Sequence, residues 1–245
     1  MFFYHFGKYL LMLKGMWSRP ESLKMYWKEL MHQCVEIGFG SLGIVMIISI
    51  FLGGVTTVQT AYQLVSPWIP KTTISMVVRD TLILELAPTM VCIVLAGVVG
   101  SKIASELGNM RVSEQIDALE IMGINTKAYL ILPKILAALL VIPCLVIIAG
   151  FLGITGGLLA GELAGILGKE QFLQGLVKNF NSFNVFFALI KSYTFAFIIS
   201  SISAYFGYYV EGGALEIGRA STTSVVVSCI LILFADYGLA AILLQ

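Results

Sequence analysis

The densest group of ionisable side chains lies in one short stretch, Ser105 to Asn125, between two long apolar blocks. Only 12% of all residues are charged, so this concentration needs a reason. On a helical wheel from Met110 to Met122, apolar residues fall on one side and polar residues on the other. Gly108 and Gly123 are natural helix breakers near the two ends. The pattern predicts one amphipathic helix over about 108–123 whose polar side faces water or a partner protein, and the ionisable residues are Glu106, Arg111, Glu114, Asp117 and Glu120.

A second candidate site lies inside an apolar block. Arg79 and Asp80 stand close to the start of this block and are compatible with the membrane interface, whereas Glu85 lies deeper. A carboxylate in hydrocarbon costs several kcal/mol unless it is protonated, paired or hydrated. Two interpretations are therefore open. Glu85 either forms a structural ion pair with another helix or lines a polar cavity.

The sequence contains no recognisable catalytic or metal-binding motif. His5 and His32 both lie in the amino-terminal segment, and there is no Ser-His-Asp arrangement, zinc motif or P-loop. We therefore expect a protein that is not an enzyme and holds no metal, and an ATP-driven machine built from it would need a separate ATPase subunit. The four cysteines stand singly in apolar runs, which argues against disulfides. A formal net charge of +1 without a basic patch argues against nucleic acid as a partner, and we expect none.

The elements that must position these residues are membrane helices. Of the 245 residues, 58% are hydrophobic, which is more than a soluble domain of this size can hide. Five apolar blocks are each longer than the roughly 20 residues that cross a bilayer. We therefore predict an all-α integral membrane protein with about five transmembrane helices, whose approximate limits are 37–70, 74–103, 127–162, 185–208 and 223–244. The third block carries a row of glycines at every fourth position, typical of close helix packing: Gly153, Gly157, Gly161 and Gly165.

Residues 1–33 are predicted to form an amphipathic interfacial segment, and residues 34–245 the five-span domain. The segment mixes five Lys and Arg with aromatic residues and lacks the apolar core of a signal peptide. We expect one or two helices at the membrane surface, separated at Pro20, with Trp17 and Trp27 at headgroup depth. A cytoplasmic amino terminus places ten of the 15 Lys and Arg on the cytoplasmic side, in agreement with the positive-inside rule.

The charged stretch resembles the signature loop of the MlaE-type permeases, which belong to ABC lipid transporters that work with MCE-domain proteins. Two further segments resemble motifs of the same family. Glu85-Leu86-x-Pro88 matches its Glu-Leu-x-Pro motif, although many members place an Arg where this chain has Leu84. Asp236 stands where the family has an acidic residue, although a place near the terminus is also typical of an interfacial side chain. The other matching residues are Glu106-Leu107-Gly108, Met110-Arg111, Ser113 to Leu119, Met122-Gly123 and, in a second conserved loop, Gly218 to Thr222.

The resemblance implies the permease subunit of an ABC transporter that moves phospholipid between the inner membrane and a periplasmic MCE protein. It implies a cytoplasmic coupling helix that engages an ABC ATPase. It also implies a second copy of the chain and contact with membrane lipids. No cofactor is expected in this chain, because the ATPase partner uses the ATP. The stand-alone alternative is a secondary transporter or channel for an amphipathic solute, which predicts internal repeats that are not evident here. The implied substrate cavity contains Glu85, Leu84, Pro88 and Arg79. The residues implied to couple to the ATPase are the five ionisable residues of the charged stretch. The second cytoplasmic loop contributes Gly218 and Arg219.

Overall fold

A computed structural model describes residues 2–16, 23–64 and 70–243, and all regular structure in these ranges is helical. Five of the helices are long and apolar enough to cross a membrane, which confirms the predicted all-α fold with five spans. Trp17 and Pro20 lie outside the described residues. The helices are α1 (Phe2–Gly15), α2 (Leu23–Gln63), α3 (Thr72–Val112), α4 (Gln115–Ile121), α5 (Lys127–Leu163), α6 (Lys169–Val177), α7 (Ser182–Tyr208) and α8 (Ala214–Leu243), of which α2, α3, α5, α7 and α8 are the five spans.

The chain forms two compact units, each assembled from three separate stretches. The first unit contains Met1–Ser41, Ile93–Val141 and Thr194–Ala235, and the second contains Leu42–Cys92, Ile142–Tyr193 and Asp236–Gln245. The charged stretch therefore belongs to the first unit and Glu85 to the second. Residues 23–33, predicted to belong to the interfacial segment, form the first turns of α2 and continue into it without a break.

Close backbone contact between α2 and α5 organises the second unit. A side chain at Gly53 would overlap the backbone of Gly153, and one at Gly156 would overlap the backbone of Ile50. Absence of a Cβ therefore lets the two helices approach, and Gly153 of the predicted glycine row lies at this contact. Gly165 does not belong to that row, because it has a φ of +65° just beyond the end of α5.

The middle of α3 departs from α-helical geometry. Residues Leu82–Met90 and Ala96–Gly100 form π-helical turns, and Pro88 lies in the first of them. Proline has no N–H and its ring crowds the carbonyl four residues earlier, so regular α-helical bonding is disturbed at this point. Local π-helical turns are frequent at functional sites. This one carries Glu85.

Candidate functional site

Lys191 on α7 is the centre of a charged cluster in the second unit. Its side chain is fully buried, and Nζ donates to Glu85 Oε1 at 2.9 Å. Asp236 on α8 completes the cluster, with Oδ1 2.6 Å from the same Nζ. We call Lys191, Glu85 and Asp236 the lysine cluster. All three lie within helices that are long enough to cross a membrane, where unpaired charges are strongly unfavourable.

The backbone of α3 supplies a third acceptor for Lys191. Nζ donates to the Leu84 carbonyl at 3.0 Å. In a regular α-helix this carbonyl would accept from the backbone N–H of residue 88, but that residue is Pro88 and has none. The Leu84-Glu85-x-x-Pro88 sequence thus provides both a carboxylate and an accessible carbonyl to one ammonium group.

The two carboxylates of the lysine cluster differ in exposure. The Glu85 side chain is 46% exposed, whereas that of Asp236 is 17% exposed. Glu85 can therefore bind Lys191 with one oxygen and still meet a ligand from outside. Asp236 mainly neutralises and holds the buried ammonium, since removal of one partner from a buried ion pair is strongly unfavourable.

Arg79, predicted to belong to the substrate cavity, is buried and binds groups of the protein itself. Its side chain is 3% exposed, and Nε and Nη2 donate to the carboxylate of Asp80. Its other donors meet three carbonyl groups at the carboxyl-terminal end of α6, those of Leu176, Lys178 and Asn179. Five hydrogen bonds satisfy the five N–H donors of a guanidinium group. Arg79 therefore secures α6 to α3, and no donor remains for a lipid phosphate in this conformation.

In the first unit, the charged stretch is two helices and not the single helix that the wheel predicted. The long helix α3 continues to Val112, and α4 begins at Gln115 after a turn at Glu114, whose φ is 59°. Gly108 is not a breaker, because it lies inside α3. A Cβ there would come within 3.1 Å of Ile217, so the residue permits close packing.

The other end of the charged stretch follows the prediction. Gly123 has a φ of +81°, and its N–H donates to the Glu120 carbonyl at 3.0 Å. The next N–H, that of Ile124, donates to the Leu119 carbonyl at 3.1 Å. This is a helix-ending pattern that favours glycine.

Four of the five predicted coupling residues bind partners within the first unit. Glu106 lies 2.6 Å from Nζ of the buried Lys134, and Arg111 donates to Asp117 at 2.6 Å. Glu120 accepts from Tyr208 at 2.9 Å and from Thr126 at 3.0 Å. Burial, reinforced by the nearby Glu120 carboxylate, raises the pKa of Tyr209. Glu114 is exposed at the turn. These contacts hold α4 against α7 and against the start of α5.

The second predicted cytoplasmic loop is largely helical. Helix α8 already begins at Ala214, so Gly218 and Arg219 lie in its first turns and not in a tight turn. The turn is made earlier by Gly212, which has a φ of +120°. Arg219 is exposed and donates to Glu216 at 2.7 Å.

Sequence reasoning missed the role of Lys191 and treated Asp236 mainly as an interfacial residue. The available signal was that each is a single ionisable residue within an apolar block. The pairing of Lys191 with Glu85 supports the ion-pair interpretation of that carboxylate and is compatible with a cavity as well. Among the residues that the structure describes, no group of three or more His, Cys, Asp or Glu could hold a metal ion.

Comparison with known proteins places these features in a family. Residues 30–242 match the family model described as Permease MlaE. The chain belongs to the MlaE permease family. A probable ABC transporter permease protein of Rickettsia bellii is 38% identical over 213 residues, which cover 87% of this chain and 82% of the relative. A protein of the same description from Synechocystis is 35% identical over 219 residues, 89% of this chain and 82% of the relative.

A plant relative extends the comparison. The chloroplast protein TRIGALACTOSYLDIACYLGLYCEROL 1 of Arabidopsis thaliana is 31% identical over 222 residues, 91% of this chain and 63% of the relative. Membership of the MlaE permease family makes the chain a multi-pass ABC transporter permease and implies an ATPase partner. It favours a non-enzymatic transporter subunit over a stand-alone secondary transporter or channel.

Proposed function

We propose that this MlaE-family permease moves a phospholipid between the inner membrane and a periplasmic MCE-domain protein, driven by a separate ABC ATPase. The observation that carries the lipid assignment is the lysine cluster. It places a half-exposed carboxylate, Glu85, beside a fully buried ammonium within largely apolar helices that are long enough to cross a membrane. An amphipathic molecule with a polar headgroup fits such an arrangement better than a small hydrophilic solute does.

The apolar part of such a cargo has a matching surface in the same unit. A groove of about 770 Å³ runs between α2 and α5 and is open on one side. Acyl chains are suited to this lining because it offers apolar contact and few competing polar groups. The name of the Arabidopsis relative is that of a glycerolipid, which also supports a lipid as cargo. The groove is lined by Ile50, Phe51, Gly54, Val55, Val58, Gln59, Tyr62, Gly156, Leu159, Ala160 and Leu163.

The charged stretch is proposed as the site where the ATPase engages. In this assignment, Glu106, Arg111, Asp117 and Glu120 act by holding the segment in place, because each of them already binds a partner in the first unit. Glu114 acts by direct contact, since it is exposed at the turn. Gly218 and Arg219 belong to the same cytoplasmic surface in the proposed topology, in which the amino terminus is cytoplasmic.

Two permease copies are proposed for each transporter, with two ATPases and a ring of MCE subunits on the periplasmic side. Five spans are few for enclosing a lipid, whereas two copies build a larger cavity. The test is native mass spectrometry of the complex purified from its own membranes. We expect two copies of this chain, ATPase and MCE subunits, and a bound phospholipid. A single copy of the chain or the absence of an ATPase contradicts the proposed assembly.

A further inference from the structure

The lysine cluster has an excess of negative charge. The ammonium of Lys191 is shared by two carboxylates, Glu85 and Asp236, so the formal charge of the cluster is −1. In the part of the chain that the structure describes, neither carboxylate has an ion-pair partner other than Lys191. An unbalanced charge within a membrane-spanning helix is strongly unfavourable. The cluster therefore favours a further positive charge.

The cations near this level of the second unit offer no free donor to a phosphate. Two N–H groups of Lys191 donate to the Leu84 carbonyl and to Glu85, and Asp236 Oδ1 lies 2.6 Å from the same nitrogen. Three acceptors match the three N–H donors of an ammonium group. Among the described residues, the other cation within the membrane-spanning helices of this unit is Arg79, and its donors are used inside the protein as well. An anionic headgroup therefore finds no unused N–H on either side chain.

Glu85 provides an accessible acceptor. Its Oε1 atom accepts from Lys191, and its Oε2 atom has no hydrogen-bond partner within the described chain. The side chain is 46% exposed, whereas the second carboxylate of the cluster, Asp236, is mostly covered. Carboxylate oxygens form short, charge-assisted hydrogen bonds with ammonium groups. The open position beside Glu85 fits a ligand group that brings both a positive charge and N–H donors.

We infer that the lysine cluster selects a phospholipid whose headgroup carries an ammonium group, such as phosphatidylethanolamine, over an anionic phospholipid such as phosphatidylglycerol. This inference rests on the proposed function, in which the cargo is a phospholipid. The headgroup ammonium binds Glu85 Oε2 and balances the two carboxylates with two cations. An anionic headgroup instead meets a cluster of its own sign. A lipid ammonium also reaches this position with acyl chains that stay in apolar surroundings, whereas an inorganic cation loses its hydration without that compensation.

The test measures which lipid the assembled transporter retains. The permease–ATPase complex is reconstituted in nanodiscs that contain equal amounts of phosphatidylethanolamine and phosphatidylglycerol with identical acyl chains. The complex is then extracted with detergent, and the lipids that remain bound are identified by native mass spectrometry. We expect the ethanolamine lipid to exceed the glycerol lipid by about tenfold or more, the effect of one charge-assisted hydrogen bond.

Three variants connect this preference to the charge of the cluster. Leu84→Arg adds a cation directly before Glu85, at a partly exposed position, and is expected to bring the lipid ratio to about one or below, since guanidinium also binds phosphate. Leu84→Met is the matched control, because it adds no charge and changes the volume little, and it should retain the preference. Asp236→Asn makes the cluster formally neutral and is also expected to lower the ratio. It keeps the test decisive if Leu84→Arg fails to fold.

The outcomes separate this inference from the proposed function. If the wild-type complex retains both lipids equally, or retains mainly phosphatidylglycerol, the headgroup inference is overturned while the proposed function stands. A preference that survives both Asp236→Asn and a folded Leu84→Arg variant, or that is lost equally in Leu84→Met, shows that the charge of the cluster does not set it, and this too overturns the inference. If the wild-type complex neither retains nor transfers any phospholipid, the proposed function itself is overturned.

Discussion

Lys191 and Glu85 form a hydrogen-bonded ion pair of 2.9 Å in which the cation is fully buried and the carboxylate is 46% exposed. The asymmetry separates two roles that a charged cluster inside a membrane protein can have. The buried partner is a structural requirement, because its ammonium depends on the acceptors around it. The exposed partner is available to a ligand. This separation leads to the first two predictions.

Replacement of Lys191 by Met is expected to destabilise the protein. The change leaves Glu85 and Asp236 without their shared cation, and loss of one partner from a buried ion pair typically costs about 3–5 kcal/mol. Chemical unfolding in detergent measures the effect, with Lys178→Met as the control because Lys178 is exposed. Equal stability of the two variants contradicts a structural role for the cluster.

Changes at Glu85 are expected to impair transport more than folding. Glu85→Gln keeps the shape and removes the charge, whereas Glu85→Leu also removes the hydrogen-bonding capacity. Both variants are expected to assemble with the ATPase and to lose ATP-dependent lipid transfer, with the Leu variant more severely affected. Assembly is checked by co-purification and transfer by a vesicle assay. Normal transfer by the Leu variant shows that the carboxylate is only structural and contradicts a role for Glu85 in the substrate cavity.

Helix packing in the second unit gives a third prediction. Gly156→Ala places a methyl group against the backbone of Ile50, so α2 and α5 must move apart. We expect a loss of about 1–3 kcal/mol, typical of overpacking in a close contact. The control is Gly43→Ala on α2, where a Cβ meets nothing within 4 Å and helix propensity favours alanine. Thermal unfolding in detergent should separate the two variants, and an identical midpoint contradicts the close contact.

The Arg111–Asp117 pair tests how the charged stretch acts. Asp117→Arg places two cations together and is expected to weaken ATPase binding several-fold by shifting α4. The added change Arg111→Asp restores an opposite pair and should recover most of the affinity. The recovery in binding free energy is small because both side chains are partly exposed, and exposed ion pairs contribute about 0–1 kcal/mol. If the swapped pair binds as weakly as the single variant, Asp117 itself contacts the ATPase.

Hydropathy was sufficient to predict the five spans because each apolar block is longer than a bilayer is thick. It placed the beginnings of α2 and α8 too late, since a helix can continue through charged and glycine-containing residues beyond the apolar run. Helical periodicity did not reveal the turn at Glu114, because a wheel assumes continuous helix across the window. Ile116 is buried as the wheel requires, but Met122, at the end of the window, is 66% exposed.

The sequence indicated one residue of the lysine cluster, Glu85, but not how the cluster is assembled. Glu85 stood out as a carboxylate within an apolar block, and the need for a partner followed from the cost of burying it. The partner itself lies 106 residues away, a distance at which no local pattern can indicate contact. Arg79 was misplaced for the same reason. The carbonyl groups that use up its donors come from the end of α6, about 100 residues later in the chain.

The most direct test of the central claim is lipid transfer by the reconstituted transporter. Permease and ATPase in labelled phospholipid vesicles are combined with the MCE protein, and phospholipid exchange is followed with ATP and with a non-hydrolysable analogue. The proposed function predicts transfer that requires the permease, the ATPase and ATP hydrolysis together, and that is lost with Glu85→Leu. Equal transfer by permease alone, without ATPase or nucleotide, contradicts it.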